Sequence, residues 1–472
     1  MRIGFLSQPF DVVEPPVDGR YSIPVLTYNF ARELAQRGHE VTVYATAGRA
    51  GRSREASRRT NHRIVYIYRP KRPSRLAMGV LRRLKGLSRH QLPYMMSAWF
   101  DPLYAIQAAL DARVRGLEVI HIQNFSQYAP FFKAFYPEIK VIVQMHCEWL
   151  NQIDCGTIRK RLRKVDRILC TSDYIRGRAE RALPEFAGRM CTLYNGVDLQ
   201  RFAPAGAPPP AGESPAVYFI GRIAPDKGVH ILIEAFERVV EKIPHARLCL
   251  AGLPLLLSKD LLCAYDDPAL RDAADRFYAS GDSSSPTQGW QETLARLARD
   301  HVQFLGEVSH GELIERLRSA ALVVQPSIIQ ESFGMPVAEA MAIGLPVIAT
   351  SGGALPEIVE HEVTGLIVER GKVESLADAM IELLRSPTKR RLMGAAGRHR
   401  ALERFGFADL ARQLEGHYAA ILNPVDPPGT IGRRHRPAVE ARSTVTRASY
   451  QVCRICRQSG TRAGRPARDD QV

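Results

Sequence analysis

No uninterrupted apolar run in this 472-residue chain approaches the roughly 18 residues that suggest a membrane span. Two signatures of nucleotide chemistry are also missing. There is no Gly-x4-Gly-Lys-Ser/Thr loop to cradle a triphosphate and no convincing Gly-x-Gly-x-x-Gly turn, which weighs against triphosphate hydrolysis and nicotinamide chemistry. No Asp-x-Asp pair offers carboxylates to Mg²⁺ or Mn²⁺. The eight cysteines are scattered singly, as buried thiols of a reducing compartment would be. Cys453 and Cys456 alone have metal or redox spacing, and no second pair completes a zinc site. The start, "MRIGFLSQPF", reads as a buried strand and turn without the long apolar core of a signal peptide. A cytoplasmic protein is expected.

What is present is the composition of a globular protein, 45% hydrophobic and 24% charged, in a chain long enough for two domains. The net charge of +16 is uneven. Residues 424–472 carry ten arginines against four acids, lack apolar periodicity and are expected to be disordered. A basic tail with no recognition helix or stacking sheet would bind nucleic acid only non-specifically, so no specific nucleic-acid partner is expected.

Short apolar runs alternate with amphipathic segments. "RIGFL" (2–6), "EVTVYA" (40–45), "EVIHIQ" (118–123), "KVIVQM" (140–145) and "RILCTS" (167–172) read as buried strands, with a helix near 22–37. "APAGAPPPAGESP" (203–215) is a proline-rich linker. The pattern then restarts with "AVYFI" (216–220) and a helix over 229–242 whose apolar face holds Val229, Leu232, Ile233, Phe236 and Val240. Strands follow in "ARLCLAG" (246–252), "VQFLG" (302–306), "ALVVQ" (321–325), "PVIAT" (346–350) and "GLIVE" (365–369). Strands alternating with helices imply doubly wound parallel sheets, and two such sheets leave a cleft beyond their strand C-termini. Residues 254–300 interrupt the rhythm and read either as a lid or acceptor-contacting insertion, or as a peripheral decoration.

Two clusters could do chemistry. "GRIAPDKG" (221–228) sets Arg222 and Lys227 between a strand end and a helix start, where cations, backbone donors and helix dipole suit a diphosphate. The bland reading is a surface turn with two solvated cations. In "QESFGMPVAEAMAIGLPVIAT" (330–350), Pro336 suits a helix's first turn, and Gly344 with Pro346 ends it. Glu339 then lies one turn into an apolar helix, where a buried carboxylate needs donors such as two ribose hydroxyls. Glu331, in the loop before, could accept from sugar hydroxyls. The bland reading is two glutamates capping or neutralising a helix terminus.

"GRIAPDKG", "ESFGMPVAEAMAIGLPVIAT", "GGALPEIV", "TGLIVE", "NGVDLQRF" (195–202) and "GHEVTVYAT" (38–46) together resemble retaining glycosyltransferases of the family 4 type. The resemblance covers about residues 1–422 outside the insertion. It implies an α/β chain of GT-B fold, with two Rossmann-like domains facing across a cleft and a C-terminal crossover helix at 407–422. The domains would be 1–202 on the acceptor side and 216–405 on the nucleotide-sugar side. It implies a hexosyl transfer from a nucleotide-diphosphate-sugar to a glycan, lipid-linked or small-molecule hydroxyl, with retention and no metal ion or other cofactor. Arg222 and Lys227 would hold the diphosphate, Glu339 the ribose and Glu331 the donor sugar, with the backbone of Phe333 and Gly334 contacting sugar and phosphate. Relatives close a paired-glycine loop over the diphosphate; here "VEPPVDGRYS" offers a single Gly19. His146 would face the reaction centre, the alternative being a hydrogen-bonded histidine at a strand end. His39 reads as structural. A nucleotide-sugar epimerase or hydrolase of the same fold, or a non-catalytic nucleotide-sugar binder, remains as an alternative.

For the acceptor side, "RPKRPSRLAMGVLRRLKGLSRH" (69–90) carries eight Lys or Arg and no acid, with Leu76, Val80, Leu84 and Leu87 on one helical face. "RKRLRK" (159–164) is a less regular counterpart. Peripheral association with an anionic inner-membrane face, and a lipid-linked acceptor, is one reading; a solvated basic face is the other.

Overall fold

The computed structural model describes residues 1–13, 15, 17, 22–46, 58–61, 63–69, 96–98, 100–204, 215–257, 262, 267–277, 286–297 and 299–424. Most of the linker 203–215, the basic stretch 70–90, Gly19 and the tail from residue 425 lie outside them.

Residues Met1–Pro424 form one compact unit built on two sheets. The first contains β1 (Arg2–Leu6), β2 (Glu40–Thr46), β3 (Arg58–Asn61), β4 (Ile64–Arg69), β5 (Val119–Gln123), β6 (Lys140–Met145), β7 (Arg167–Cys170) and β8 (Met190–Thr192). Their spatial order is β3-β4-β2-β1-β5-β6-β7-β8. All neighbours pair parallel except β3 with β4. The second sheet contains β9 (Ala216–Ile220), β10 (Arg247–Ala251), β11 (Val302–Gly306), β12 (Leu322–Gln325), β13 (Val347–Thr350) and β14 (Gly365–Val368). It runs β11-β10-β9-β12-β13-β14, all parallel.

The near-continuous apolar runs follow from this arrangement, since helices cover both faces. Every residue of β5, β12 and β13 is buried. The helix Val229–Lys242 buries Val229, Leu232, Ile233, Phe236 and Val239, while Val240 is only partly covered. The winding of the parallel strands reverses between β1 and β5 in the first sheet and between β9 and β12 in the second. Such a switch point opens a crevice beyond the carboxyl ends, where ligands bind in open α/β sheets.

The last helix, Phe407–Leu422, returns to the first sheet as the sequence pattern predicts. Leu410, Leu414 and Tyr418 enter the core that holds Ile3, Phe5 and Phe30. The Tyr418 hydroxyl lies 2.8 Å from Nδ1 of His121 on β5. His39 serves the same closure, with Nε2 2.9 Å from Glu415 and Nδ1 3.2 Å from the N-terminal ammonium. This is the structural role its sequence context suggests.

Candidate functional site

The loops leaving β9 and β12 meet at the second switch point. After β9 the chain passes Gly221 at φ 146°, turns through Pro225–Lys227 and enters the helix Val229–Lys242 at Gly228, φ 71°. A Cβ on Gly228 would stand 2.0 Å from the Pro326 carbonyl oxygen, so a glycine is what lets the two loops touch. The Asp226 carbonyl accepts the N–H groups of Ile328 and Ile329 at 3.0 and 2.9 Å. The fully buried Asp226 carboxylate accepts from Arg222 at 2.6 Å, leaving that guanidinium fixed at the strand end.

The loop after β12 carries Glu331. Its Oε1 lies 2.7 Å from Lys227 Nζ and 3.1 Å from Gln325 Nε2, and it also accepts from Ser327 Oγ. Burial pushes this carboxyl's pKa up, but Lys227, the Ser327 hydroxyl and Arg222 outweigh burial and hold it below the usual carboxylate range. It is therefore ionised at neutral pH. Among the described residues no hydrogen bond reaches Oε2, and the side chain keeps 12% exposure. Sequence reasoning missed Gln325 and Ser327; polar residues closing a strand as apolar as "LVV" were the available signal.

Phe333 is buried, packed edge-on against Phe405 at 5.6 Å and tilted against Tyr194 at 6.0 Å. Its ring anchors the loop in the core. Gly334 follows at φ 107°, where a Cβ would meet Leu355 at 2.7 Å. It opens the helix Met335–Ile343 with Pro336 in the first turn, and Gly344 closes it at φ 90°. Glu339 is buried on that helix, 3.5 Å from His310 Nε2. It lines a cavity of about 200 Å³ with Asn29, Arg32, Asp198, Arg201 and His310, drawn from both halves of the chain. The structure thus gathers Arg222, Lys227 and Glu331 at one point and sets Glu339 in a cavity between the halves.

On the first sheet, His146 follows β6. Its Nε2 lies 2.6 Å from Gln123 Oε1, and its backbone N–H donates to Asn124 at 2.7 Å. Burial lowers its pKa to about 4, so the ring is neutral at pH 7. With Gln123 accepting, Nε2 carries the proton and Nδ1 keeps its lone pair. Gly19 and nearly all of the basic stretch 69–90 lie outside the described residues. In "RKRLRK" the cations are not uniformly free: Arg159 pairs with Glu185, and Arg161 is buried, donating to the Met96 carbonyl at 2.7 Å. Lys164 and Arg163 instead line a dish of about 530 Å³ with Lys133 and Arg189, at the end where β7 and β8 begin.

A second connection between the halves is Glu357, from the short helix Leu355–Ile358. Its carboxylate accepts the backbone N–H groups of Asp173 and Tyr174 at 2.8 and 2.5 Å. Those residues open the helix Asp173–Ala182 of the first half.

Residues 23–201 match the family model described as Glycosyltransferase Family 4, and residues 206–400 match Glycosyl transferases group 1. One relative is the GDP-mannose-dependent monoacylated alpha-(1-6)-phosphatidylinositol monomannoside mannosyltransferase of Corynebacterium glutamicum. It is 30% identical over 280 residues, covering 55% of this chain and 64% of the relative. Among solved structures, sucrose-phosphate synthase from Thermosynechococcus elongatus superposes with a TM-score of 0.65 at 20% identity. That match covers 89% of this chain and 99% of the other. Anabaena HepE in complex with UDP-glucose superposes with a TM-score of 0.62 at 18% identity, covering 89% and 100%. These likenesses show a shared GT-B fold.

Proposed function

The chain belongs to the family 4 and group 1 glycosyltransferases, and from that premise we propose that it moves a hexose-type sugar, with retention, from a nucleotide-diphosphate-sugar to a hydroxyl acceptor. The observation that carries this reading is the contact between Lys227 and Glu331. In such a donor the anomeric carbon and the leaving phosphate are one bond apart. The cation for the phosphate and the carboxylate for the sugar must then be neighbours, and here they are 2.7 Å apart.

Arg222 and Lys227 face the diphosphate, and Glu331 accepts a donor-sugar hydroxyl through the oxygen that Lys227 leaves free. Glu339 binds the ribose, and the backbone of Phe333 and Gly334 contacts sugar and phosphate. The acceptor oxygen attacks C1 from the face the diphosphate leaves. The C1–O bond to phosphate breaks as the new C1–O bond forms, and the acceptor proton passes to the departing phosphate oxygen. Negative charge grows on that diphosphate, so preorganised cations there stabilise the transition state more than the ground state. They meet the charge without a metal ion. Neutral His146, held by Gln123, faces the reaction centre from the first sheet.

The C. glutamicum relative is named for GDP-mannose and a lipid acceptor, and the HepE structure for UDP-glucose. These names favour a nucleotide-sugar donor and keep a lipid-linked acceptor on an anionic membrane face in view. The test is to incubate the chain with UDP-, GDP- and ADP-sugars, reading thermal stabilisation and nucleotide release, with Glu331→Gln alongside. A donor whose effect weakens in the variant supports the reading; no stabilisation by any nucleotide removes it. Dependence of turnover on an added acceptor separates a transferase from an epimerase or hydrolase.

A further inference from the structure

The insertion between β10 and β11 touches both loops of the site. At its start, the Leu255 carbonyl accepts from Arg222 Nη1 at 3.0 Å, the guanidinium whose other nitrogen holds Asp226. Trp290, in the helix Pro286–Leu297, is wholly buried and donates its indole N–H to the Ile223 carbonyl at 2.7 Å. Its ring packs edge-on against Phe277, 5.1 Å away, at the end of the helix Pro268–Phe277.

Asp267 stands just before that helix, 8% exposed. Its Oδ1 accepts the Ala269 N–H at 3.1 Å, while Oδ2 takes Arg370 at 2.6 Å and Gln330 Nε2 at 3.4 Å. The same Arg370 nitrogen donates to the Ile328 carbonyl at 2.6 Å, and Gln330 Oε1 accepts the Gly353 N–H at 2.5 Å. One carboxylate oxygen therefore holds the loop at two points just before Glu331, at Ile328 through Arg370 and at Gln330 directly. A peripheral decoration would satisfy its buried polar groups within itself or in water. Here Trp290 and Asp267 spend theirs on the loops that carry Arg222 and Glu331.

We infer that the insertion is a supporting shell of the donor site. Trp290 is a positioning residue for Arg222, acting through the Ile223 carbonyl, and Asp267 is a positioning residue for Glu331, acting through Arg370 and Gln330. This rests on the donor-site reading above. Productive geometry tolerates only about 0.5 Å of error, so a loop freed from such a support loses affinity without losing the fold. The two supports hold different loops, and their loss separates in the donor. Trp290 governs the diphosphate, and Asp267 governs the additional affinity the sugar confers.

The test is calorimetric titration of the full chain with UDP, GDP and ADP, then with the glucose and mannose derivatives of whichever nucleotide binds. Trp290→Phe keeps a buried ring and removes one hydrogen bond, and is expected to weaken the nucleoside diphosphate about three- to tenfold. Asp267→Asn is expected to leave the diphosphate within about twofold and weaken the nucleotide-sugar about fivefold or more, with Asp267→Glu recovering part of the loss. Thermal unfolding is recorded for each, and Arg370→Lys replaces Asp267→Asn if that variant fails to fold. Wild-type affinities in folded variants would overturn the inference and leave the donor site standing. A wild-type chain that binds none of the nucleotides would bring down the donor-site reading, and this inference with it.

Discussion

Lys227 Nζ and Glu331 Oε1 are 2.7 Å apart across 104 positions of sequence, with side chains 19% and 12% exposed. Removing one partner of a pair this enclosed leaves an uncompensated charge, which costs roughly 3–5 kcal/mol in buried pairs. Lys227→Met is expected to lower stability by an amount of that order. The double variant with Glu331→Gln is expected to regain most of it, while transfer stays down about a hundredfold or more in both variants. Urea unfolding and a transfer assay together check it. Recovery of activity with recovery of stability would mean the pair is structural only.

Gly228 gives a prediction of another kind. Its φ of 71° and the Pro326 oxygen, 2.0 Å from where a Cβ would lie, both oppose a side chain. Gly228→Ala is expected to cost on the order of 2 kcal/mol or more by denaturant unfolding. Because Pro326 precedes Ser327, which donates to Glu331, the same change is expected to weaken nucleotide-sugar binding in whatever fraction folds. By contrast, Gly311, with open space where its Cβ would go, is expected to accept alanine with little effect.

The difference between these positions was only partly legible in the sequence. Buried parallel strands announce themselves as apolar runs, so β1, β6, β9 and β11 fall where the pattern sets them, as does the final helix. β8 does not, because "MCT" is three residues with no period to read. β3 and β4 are not legible either, because "RRTN" with "IVYIYR" is an antiparallel strand pair with no helix between, outside the strand–helix alternation. Arg222, Lys227 and Glu331 stand in recognisable motifs. Their supports do not: Asp267, Trp290 and Arg370 matter through contacts 42 to 103 positions away, and no local pattern encodes such pairings. Glu357 was legible as part of "GGALPEIV" but not as a link to the first half.

Buried histidines are expected to set the acid limit of stability. Burial lowers the pKa of His121 to about 3 and those of His146 and His230 to about 4, from 6.5. Each therefore contributes stability that is complete above pH 6.5 and lost as pH falls toward the folded value. Asp11 works in the opposite sense. Burial raises its carboxyl from 3.8 to about 7, so its contribution is complete below 3.8 and lost as pH rises through 7. As pH falls from 6.5 to 4 these histidines, joined by His417, which burial also lowers, outweigh Asp11 and Glu357, and stability is expected to fall, on the order of 1.4 kcal/mol per pH unit for each uncompensated group. Urea midpoints from pH 4 to 8 measure this. His121→Phe is expected to flatten the slope, and an unchanged slope would show that His121 is not held neutral.

Glu357 offers the most direct handle on how the halves are coupled. Its carboxylate accepts two backbone N–H groups at the start of the helix Asp173–Ala182, donors that have no partner within their own helix. Burial raises its pKa, opposed by the bonds from Asp173 and Tyr174. Tyr194 also donates to it at 3.3 Å, and the Tyr194 ring packs on Phe333 beside Glu331. Glu357→Gln keeps the shape but removes the charge that favours a helix amino end, and is expected to cost about 0.5–1 kcal/mol; Glu357→Ala removes the acceptors as well and is expected to cost about 1–2 kcal/mol. Amide exchange should rise first at Ile175 and Arg176, in the first turn of that helix, and not across β9 or β12. If the link also keeps the first half registered on the donor loops, kcat falls in both variants while affinity for the nucleoside diphosphate alone stays constant, because Lys227 and Arg222 belong to the second half. Loss of diphosphate affinity in step with kcat would instead place Glu357 within the support of the donor loop itself.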